Sequence, residues 1–376
     1  MDTLINAVIY VTSFLVMLTI LVFVHEWGHF IVARLNGVRV EVFSIGFGPE
    51  IWGWTDRKGT RWKFSWVPLG GYVKFFGDAS EASTPDSNLD EMSAEEKKVS
   101  FHFKKLSQRA AIVFAGPLAN FIFAILILAT FFFLYGQVER KAVVSDIVAG
   151  GAAQEAGLQK GDVFFAVNGA RVTRFNDVVI EVIYSAGESL DMTVLRDGKA
   201  VDLTITPRLT KIVRDGVQQL DDQGKPLELY QIGVMNSEER VIREHNPGTA
   251  LWAGVIQSKM IVTQSLRALR QMVVGTRSLK ELSGPVGISQ AAGKAAKMGF
   301  ESWVQVMALI SLSLGMINLF PIPLLDGGHL LFYGFEAVLG RKLSERTQEF
   351  GFRIGLVFIL GLMMLATFND ILKINW

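Results

Sequence analysis

The chain has 376 residues, of which 50% are hydrophobic and 19% are charged, with a formal net charge of +1 and no cysteine. Its mean hydropathy of +0.33 is too high for an ordinary soluble enzyme, while the charged fraction is too high for a protein made only of membrane spans, so a membrane protein with a soluble insert is expected. The balanced charge provides no basic surface for nucleic acid, and the lack of cysteine excludes disulfides, cysteine metal ligands and a cysteine nucleophile.

The first predicted element is an apolar helix that ends in a metal-binding motif. Leu4 to Val24 contains no charged residue, is long enough to cross a bilayer and lacks the basic start of a cleaved signal peptide. The sequence His25-Glu26-Trp27-Gly28-His29 follows directly. On a helix, His25 and His29 share one face and Glu26 lies beside them, which is the arrangement of two zinc ligands and a general base in zinc peptidases. A chance match is the alternative, but polar clusters at membrane depth are disfavoured.

Residues Val38–Gly77 have the pattern of a small sheet. Val38–Val42 and Arg61–Trp66 alternate in polarity, and glycine and proline residues lie between and after them. Two interpretations stay open: an ordinary cytoplasmic hairpin, or a sheet edge beside the membrane that holds an extended substrate by β-strand addition. The acidic, Ser- and Asp-rich stretch Ala79–Glu96 is typical of a solvated loop.

A second apolar segment, Ala110–Tyr135, is long enough for another span. Residues 139–209 form a predicted soluble β-rich module, with a strong hairpin signal at Asp197-Gly198. Ala250–Val274 is apolar but interrupted by three basic residues, which favours an amphipathic helix at the membrane interface.

The third apolar segment, Trp303–Leu325, ends in a Pro-Ile-Pro sequence just before Asp326, and the fourth is Ile354–Phe368. A catalytic zinc normally has three protein ligands and a water, so a third His, Asp or Glu is needed. Asp326 is the candidate, because proline breaks a helix and irregular backbone at membrane depth must line a cavity or be buried. A helix cap at Asp326 and ligation by His329 are the alternatives.

Asn318 lies eight residues before Asp326 on the same segment. It is predicted to bind the substrate backbone or a developing oxyanion. A hydrogen bond between membrane helices is the alternative role. The remaining histidines, His102 and His245, lie in polar surroundings and are predicted to be surface residues.

Basic residues near the ends of the apolar segments predict the orientation of the chain in the membrane. They lie after the first segment, before the second, and between the third and fourth: Arg34, Arg39, Arg57, Lys58, Arg61, Lys63, Lys104, Lys105, Arg109, Arg341, Lys342 and Arg346. These places are expected to be cytoplasmic. Both termini and residues 136–302 are then expected on the outer side, with the histidine motif near the cytoplasmic side.

Together these motifs resemble one family. The H-E-x-x-H sequence, Gly116-Pro117-Leu118-Ala119-Asn120, Ser283-Gly284-Pro285-Val286-Gly287-Ile288 and the stretch from Asn318 to Gly328 are similar to the site-2 protease family, specifically the bacterial RseP type of intramembrane zinc metalloprotease. The resemblance runs from the first span to Asp370. The 139–209 module resembles a single PDZ domain of the bacterial periplasmic kind.

The resemblance implies the roles of particular residues and the kind of substrate. His25, His29 and Asp326 match the zinc ligands, Glu26 the catalytic base, and Asn318 a substrate-handling residue. The implied function is cleavage of transmembrane segments in the bacterial inner membrane. The implied substrates are single-pass membrane proteins, such as anti-sigma factors already cut once and remnants of signal peptides.

The expected fold is a mainly α-helical membrane protein with four transmembrane helices, a membrane-associated β-region and an inserted periplasmic PDZ domain of α+β type. The expected divisions are a first transmembrane helix (1–37), a cytoplasmic β-region and loop (38–109), a second transmembrane helix (110–136), the PDZ domain (137–210), a periplasmic linker with an amphipathic helix (211–302), a third transmembrane segment with the zinc-ligand Asp (303–340), and a fourth transmembrane helix with the C-terminus (341–376). Two other functions fit fewer of the motifs: a non-proteolytic membrane PDZ scaffold with structural zinc or none, and a metal transporter.

Overall fold

The computed structural model describes residues 2–79, 91–211, 213–214, 217–218, 228–236, 240–275 and 277–373. This part of the chain is mostly helical, and four of its helices are long and apolar enough to cross a bilayer by length and composition: Val8–Leu35, Leu106–Tyr135, Phe300–Asn318 and Arg346–Leu372. These correspond to the four predicted apolar segments. The helices are α1 (Asp2–Leu35), α2 (Ala94–Val99), α3 (Leu106–Tyr135), α4 (Ala152–Glu155), α5 (Phe175–Tyr184), α6 (Pro247–Val274), α7 (Pro285–Met298), α8 (Phe300–Asn318), α9 (Asp326–Leu339) and α10 (Glu345–Lys373).

The chain divides into two compact units. The first comprises Met1–Leu128, Gly254–Val262 and Leu282–Asp370, and the second comprises Ala129–Ala253, Thr263–Glu281 and Ile371–Trp376. The histidine motif and the residues around it all belong to the first unit.

Helix α1 is longer than the apolar run that predicted it. Its 34 residues continue through the motif to Leu35, a length of about 50 Å at about 1.5 Å per residue. His25 and His29 therefore lie inside the helix and not at its end. A second face of α1, formed by Phe23, Trp27 and Phe30, packs on aromatic residues of the first sheet, with the rings of Phe30 and Phe43 5.5 Å apart.

The predicted β-region is a long antiparallel hairpin of β1 (Val40–Thr55) and β2 (Arg61–Phe75). The hairpin curls, so that Phe43 in the first half of β1 pairs with Val73 on one side and with Trp62 on the other. Gly46 lies at the bend with a φ of +89°, and a Cβ there would come within 2.9 Å of the carbonyl oxygens of Ser65 and Val67. The Gly71–Phe75 half of β2 consequently forms an outer strand of the sheet.

Aromatic packing and one partly buried carboxylate hold this hairpin on α1. The Phe43 and Trp62 rings stack at 4.4 Å, and Arg34, in the last turn of α1, donates to Asp56 at 2.6 Å. Desolvation by burial raises the pKa of Asp56, but hydrogen bonds from Trp62, the Thr60 backbone and Arg34 outweigh it and lower the pKa to about 2. The turn of the hairpin is thus tied to the end of the helix that carries the motif.

The residues after the hairpin differ in part from the solvated loop predicted over Ala79–Glu96. Residues 80–90 lie outside the described residues. Helix α2 begins at Ala94, with Ser93 as its N-cap and a reciprocal hydrogen bond from the Ser93 backbone to Glu96. This is a capping box, which satisfies two backbone donors that a helix start leaves without partners.

The predicted third segment, Trp303–Leu325, consists of helix α8 and the turn that contains the Pro-Ile-Pro sequence, and another helix follows. Helix α8 ends at Asn318 and α9 begins at Asp326. The turn between them contains both prolines and Leu324 with a φ of +96°. It packs tightly, because a Cβ on Gly327 would lie 2.2 Å from the carbonyl oxygen of Phe320. The break therefore turns the chain so that Asp326 starts a new helix.

Helix α7, which the sequence did not predict, packs against α1 in the same unit. A Cβ on Gly293 would lie 1.9 Å from the Tyr10 ring, so only glycine allows this contact. The Asp370 carboxylate of α10 accepts hydrogen bonds from the backbone N–H groups of Gly284 and Gly287, at 2.9 and 2.8 Å. A carboxylate at a helix N-terminus is stabilised by the helix dipole, and here it joins α10 to α7.

The second unit contains short strands, a number of which form one sheet. They are β3 (Gln137–Arg140), β4 (Val144–Ile147), β5 (Val163–Val167), β6 (Ala170–Arg171), β7 (Leu190–Arg196), β8 (Lys199–Ile205), β9 (Arg208–Lys211), β10 (Val213–Arg214), β11 (Val217–Gln218), β12 (Glu228–Gln231), β13 (Val234–Asn236) and β14 (Arg240–Arg243). Four of them form a sheet of order β6-β5-β7-β8, and the others form pairs.

The core of this unit includes Phe164, Val178, Met192 and Ile205. The unit extends past residue 210, the predicted end of the module, because β12, β13 and β14 pair back with β9, β4 and β3.

Candidate metal centre

Three predicted ligands meet in the first unit. His25 Nε2 and His29 Nε2 lie 3.2 Å apart, and they are 3.1 Å from Asp326 Oδ2 and 3.6 Å from Asp326 Oδ1, respectively. The histidines come from adjacent turns of α1, whereas Asp326 is the first residue of α9. The break after α8 therefore brings the aspartate to the two imidazoles.

The donor set and its surroundings fit a zinc ion. Two imidazoles and a carboxylate are the usual protein ligands of catalytic zinc, with a fourth position left for water. Asp326 Oδ2 is buried and lies 3.1 Å from His25 Nε2, but it accepts no hydrogen bond within the described parts of the chain. A buried carboxylate oxygen without a hydrogen bond is costly unless a cation compensates it. A metal ion bound between the three side chains would supply that charge.

The ring of His29 is oriented by the second apolar helix. Its Nδ1–H donates to the backbone carbonyl of Ile112 in α3 at 2.8 Å. This leaves the lone pair of Nε2 pointing at Asp326 and His25. Metal-binding histidines in proteins commonly donate their second ring N–H in this way, which sets the tautomer and the ring orientation.

Glu26 lies beside the ligands and against the hairpin. It lines a cavity of about 370 Å³ together with His25, His29, Asp326 and Asn318. A Cβ on Gly71 would lie 3.4 Å from Glu26 Cγ, so the outer half of β2 passes directly along the glutamate. A carboxylate in this place is next to the metal ligands without being one of the clustered ligand groups.

His329 and His102 have other contacts. His329 lines the same cavity, but its ring packs on Phe352 with centroids 5.4 Å apart, and the cluster of ligand atoms found in the described residues comprises His25, His29 and Asp326. The prediction of a surface position for His102 is wrong, because its Nε2 lies 2.8 Å from the Asp78 carboxylate, which is itself buried.

Glycine at two positions lets α1 and α3 approach closely at the site. A Cβ on Gly28 would lie 2.2 Å from the carbonyl oxygen of Ala115, and a Cβ on Gly116 would lie 2.2 Å from His29 Nε2. Any larger residue at Gly116 would occupy the place of the imidazole. The sequence shows Gly116 only as part of a motif on an apolar helix, whereas its contact with His29 arises from the packing of two helices.

Comparisons with known proteins agree with this geometry. The sequence profile of peptidase family M50 matches residues 13–362. A protein of Agrobacterium fabrum, provisionally named a zinc metalloprotease, is 43% identical over 96% of this chain and 95% of its own length. A Rhizobium meliloti protein with a similar provisional name is 42% identical over 97% of this chain and 96% of its own. Metalloprotease MmpA of Caulobacter vibrioides is 36% identical over 98% and 96%.

The choice between Asp326 and His329 as third ligand is testable by metal binding. We expect Asp326→Asn to weaken zinc binding by more than about 100-fold. Loss of a residue that only hydrogen-bonds to a ligand typically weakens binding by about 10- to 100-fold. His329→Asn should retain the affinity of the wild type, because its ring contacts Phe352. Competition with a chromophoric chelator in detergent measures both. Equal losses in the two variants would contradict the assignment.

Gly116→Ala tests the space that the imidazole of His29 requires. The added methyl group would lie 2.2 Å from Nε2, so we expect zinc affinity to fall by about 10-fold or more, as when a histidine ligand loses its orientation. Gly334→Ala in α9 is the matched control, because a Cβ there meets nothing within 4 Å. Alanine has a higher helix propensity than glycine by about 0.5–1 kcal/mol, so neither substitution should weaken its helix. A loss of zinc affinity in both variants would therefore contradict the packing explanation.

Proposed function

We propose that this chain, which belongs to peptidase family M50, the site-2 proteases, cleaves transmembrane segments of other membrane proteins. Members of this family are multi-pass membrane proteins, and the chain is a zinc metalloprotease. The observation that carries this proposal is the position of the metal centre. Two of its ligands lie within a helix of membrane-spanning length and composition. Polar groups at such a depth are costly and mark function, and the scissile bond of a membrane-embedded substrate lies at the same depth.

Glu26 is proposed to act as the general base and then as the general acid. Zinc held by His25, His29 and Asp326 would lower the pKa of a coordinated water from its bulk value to about 7. Glu26 lines the cavity beside His25 and His29, where its carboxylate is placed to take a proton from the attacking water. The protonated side chain then delivers that proton to the amine of the leaving peptide.

The outer strand of the hairpin is proposed to hold the substrate in extended form. A helical peptide hides its carbonyl groups in hydrogen bonds, so a transmembrane substrate must unwind before water can attack it. Gly71, Tyr72 and Val73 of β2 line the cavity next to Glu26. Their half of β2 pairs with β1 on one side only, among the strands that the structure describes. An unwound substrate can therefore add to this edge by backbone hydrogen bonds.

Asn318 is proposed to bind the substrate from another part of the cavity lining. It is the last residue of α8 and lines the cavity with the three ligands. Its side-chain amide can donate to a substrate carbonyl, and such donors stabilise the oxyanion that develops during attack.

The second unit is proposed to be a PDZ domain that screens substrates on the periplasmic side of a bacterial inner membrane. The distribution of basic residues supports this orientation. Within the unit, a cavity of about 310 Å³ lies between α5 and residues 229–235 and is lined by apolar side chains that include Val178, Val182 and Ile232. The proposed substrates are single-pass proteins, such as anti-sigma factors already cut once and signal-peptide remnants.

Glu26→Gln separates catalysis from metal binding. We expect the variant to retain zinc at the level of the wild type, because the three ligands are unchanged, and to lose cleavage of a model single-pass substrate by at least about 10²–10⁴-fold, the usual contribution of a general base. Metal analysis and a gel-based cleavage assay in proteoliposomes measure the two properties. Full cleavage by the zinc-loaded variant would refute the assigned role of Glu26.

Asn318→Ala tests the substrate-binding wall. We expect kcat/KM to fall by about 10²–10³-fold, as for loss of an oxyanion donor, with zinc content unchanged. Ser313→Ala is the control on the same helix, because its hydroxyl bonds only the α8 carbonyl of Leu309 among the contacts described. Equal kinetics in the two variants would show that Asn318 does not bind the substrate or its transition state.

A further inference from the structure

The second span contains a buried amide that the proposed mechanism does not use. Asn120 lies on α3, in the sequence Gly116-Pro117-Leu118-Ala119-Asn120, and its residue exposure is 0%. Its Nδ2 lies 3.1 Å from His25 Nδ1. Its Oδ1 is buried and has no hydrogen-bond partner among the residues that the structure describes. A buried amide oxygen in this state costs about 1–3 kcal/mol.

The chemistry of the ligand decides which amide atom must face His25. The zinc-binding atom of His25 is Nε2, which lies beside Asp326 and His29. A neutral imidazole carries one proton, so an Nε2 that binds a metal requires the proton on Nδ1. Nδ1–H then needs a hydrogen-bond acceptor. An amide NH₂ group cannot accept, whereas the amide oxygen can.

We propose that Asn120 is a positioning residue of the zinc site, whose side-chain oxygen accepts the Nδ1–H of His25. A half turn of the amide about its last bond exchanges Oδ1 and Nδ2 at nearly the same positions, because the two atoms are similar in size. That turn gives the unpaired oxygen a donor and holds His25 in its zinc-binding tautomer. Asn120 thus does for His25 what the Ile112 carbonyl does for His29.

A purely structural role for the Asn120 side chain is less consistent with its contacts. Asparagine often joins membrane helices by side-chain hydrogen bonds. Here the link between α3 and α8 uses the backbone carbonyl of Asn120, to which Ser311 Oγ donates at 2.8 Å. The side chain is directed to His25 instead. The two links are therefore separable by mutation.

The test compares three variants by metal binding, so it rests on the zinc site and not on the proposed substrates. Asn120→Leu removes the hydrogen-bond acceptor and keeps a side chain of similar size. We expect zinc affinity to fall by about 10- to 100-fold, the usual loss when a hydrogen-bond partner of a zinc ligand is removed. Asn120→Asp keeps an acceptor for Nδ1–H, and we expect its affinity to stay within about 3-fold of the wild type or to increase, since carboxylates serve this role in other zinc sites. Ser311→Ala removes only the helix–helix hydrogen bond and should bind zinc as the wild type does.

Chelator competition gives the affinities, and the visible absorption of the cobalt-substituted protein reports the ligand geometry independently of cleavage. We expect the cobalt spectrum to change in Asn120→Leu and to be preserved in Asn120→Asp and Ser311→Ala. Equal losses of affinity in Asn120→Leu and Asn120→Asp would overturn the proposal, because a carboxylate would then fail to replace the amide oxygen. Zinc binding by Asn120→Leu at the level of the wild type, or a loss in Ser311→Ala as large as in Asn120→Leu, would overturn it as well. An intact zinc site without cleavage of membrane substrates would contradict only the proposed function.

Discussion

The close contact between α1 and α3 is the constraint on which the metal centre depends. Gly28 and Gly116 remove the side chains that would separate the two helices, and a methyl group on either would lie 2.2 Å from an atom of the other helix. Small residues allow close approach between membrane helices, where apolar surface alone provides little driving force for association. At this distance the α3 carbonyl of Ile112 reaches His29 and the Asn120 side chain reaches His25. The second span thereby orients ligands that the first span carries.

Interruptions of regular structure bring the remaining groups to the same place. The chain breaks between α8 and α9, at Pro321 and Pro323, and Asp326 begins the next helix beside the two imidazoles. The hairpin curls at Gly46, so the outer half of β2 passes along Glu26. Regular helices and strands alone would leave the carboxylate ligand and the candidate substrate-binding edge away from the histidines. Irregular backbone at membrane depth persists where it is buried in protein or lines a cavity, and here Leu324 and Leu325 of the turn line the cavity.

Several buried polar groups in the first unit have specific partners that connect separate elements. Asp370 of α10 accepts from the start of α7, Arg109 of α3 donates to Glu336 of α9 at 2.6 Å, and His102 contacts Asp78 at 2.8 Å. Each pair joins elements that are distant in sequence. In apolar surroundings an unsatisfied polar group is costly, so such pairs specify which helices are neighbours. They explain how a metal centre can stay ordered in a protein whose helices are mostly apolar.

The sequence by itself determined the local features of this protein. Length and hydropathy predict four spans because a span needs only about 20 apolar residues, and the i, i+4 spacing of His25 and His29 places both on one helix face. The motifs sufficed to name Asp326 as a candidate ligand. Tertiary structure decided what depends on contacts between distant segments: the packing of α7 on α1 and the return of β12 to β14 onto earlier strands. The orientation of the two imidazoles also belongs to this group, because it depends on how closely α3 approaches α1, and helix periodicity carries no information on the distance between helices.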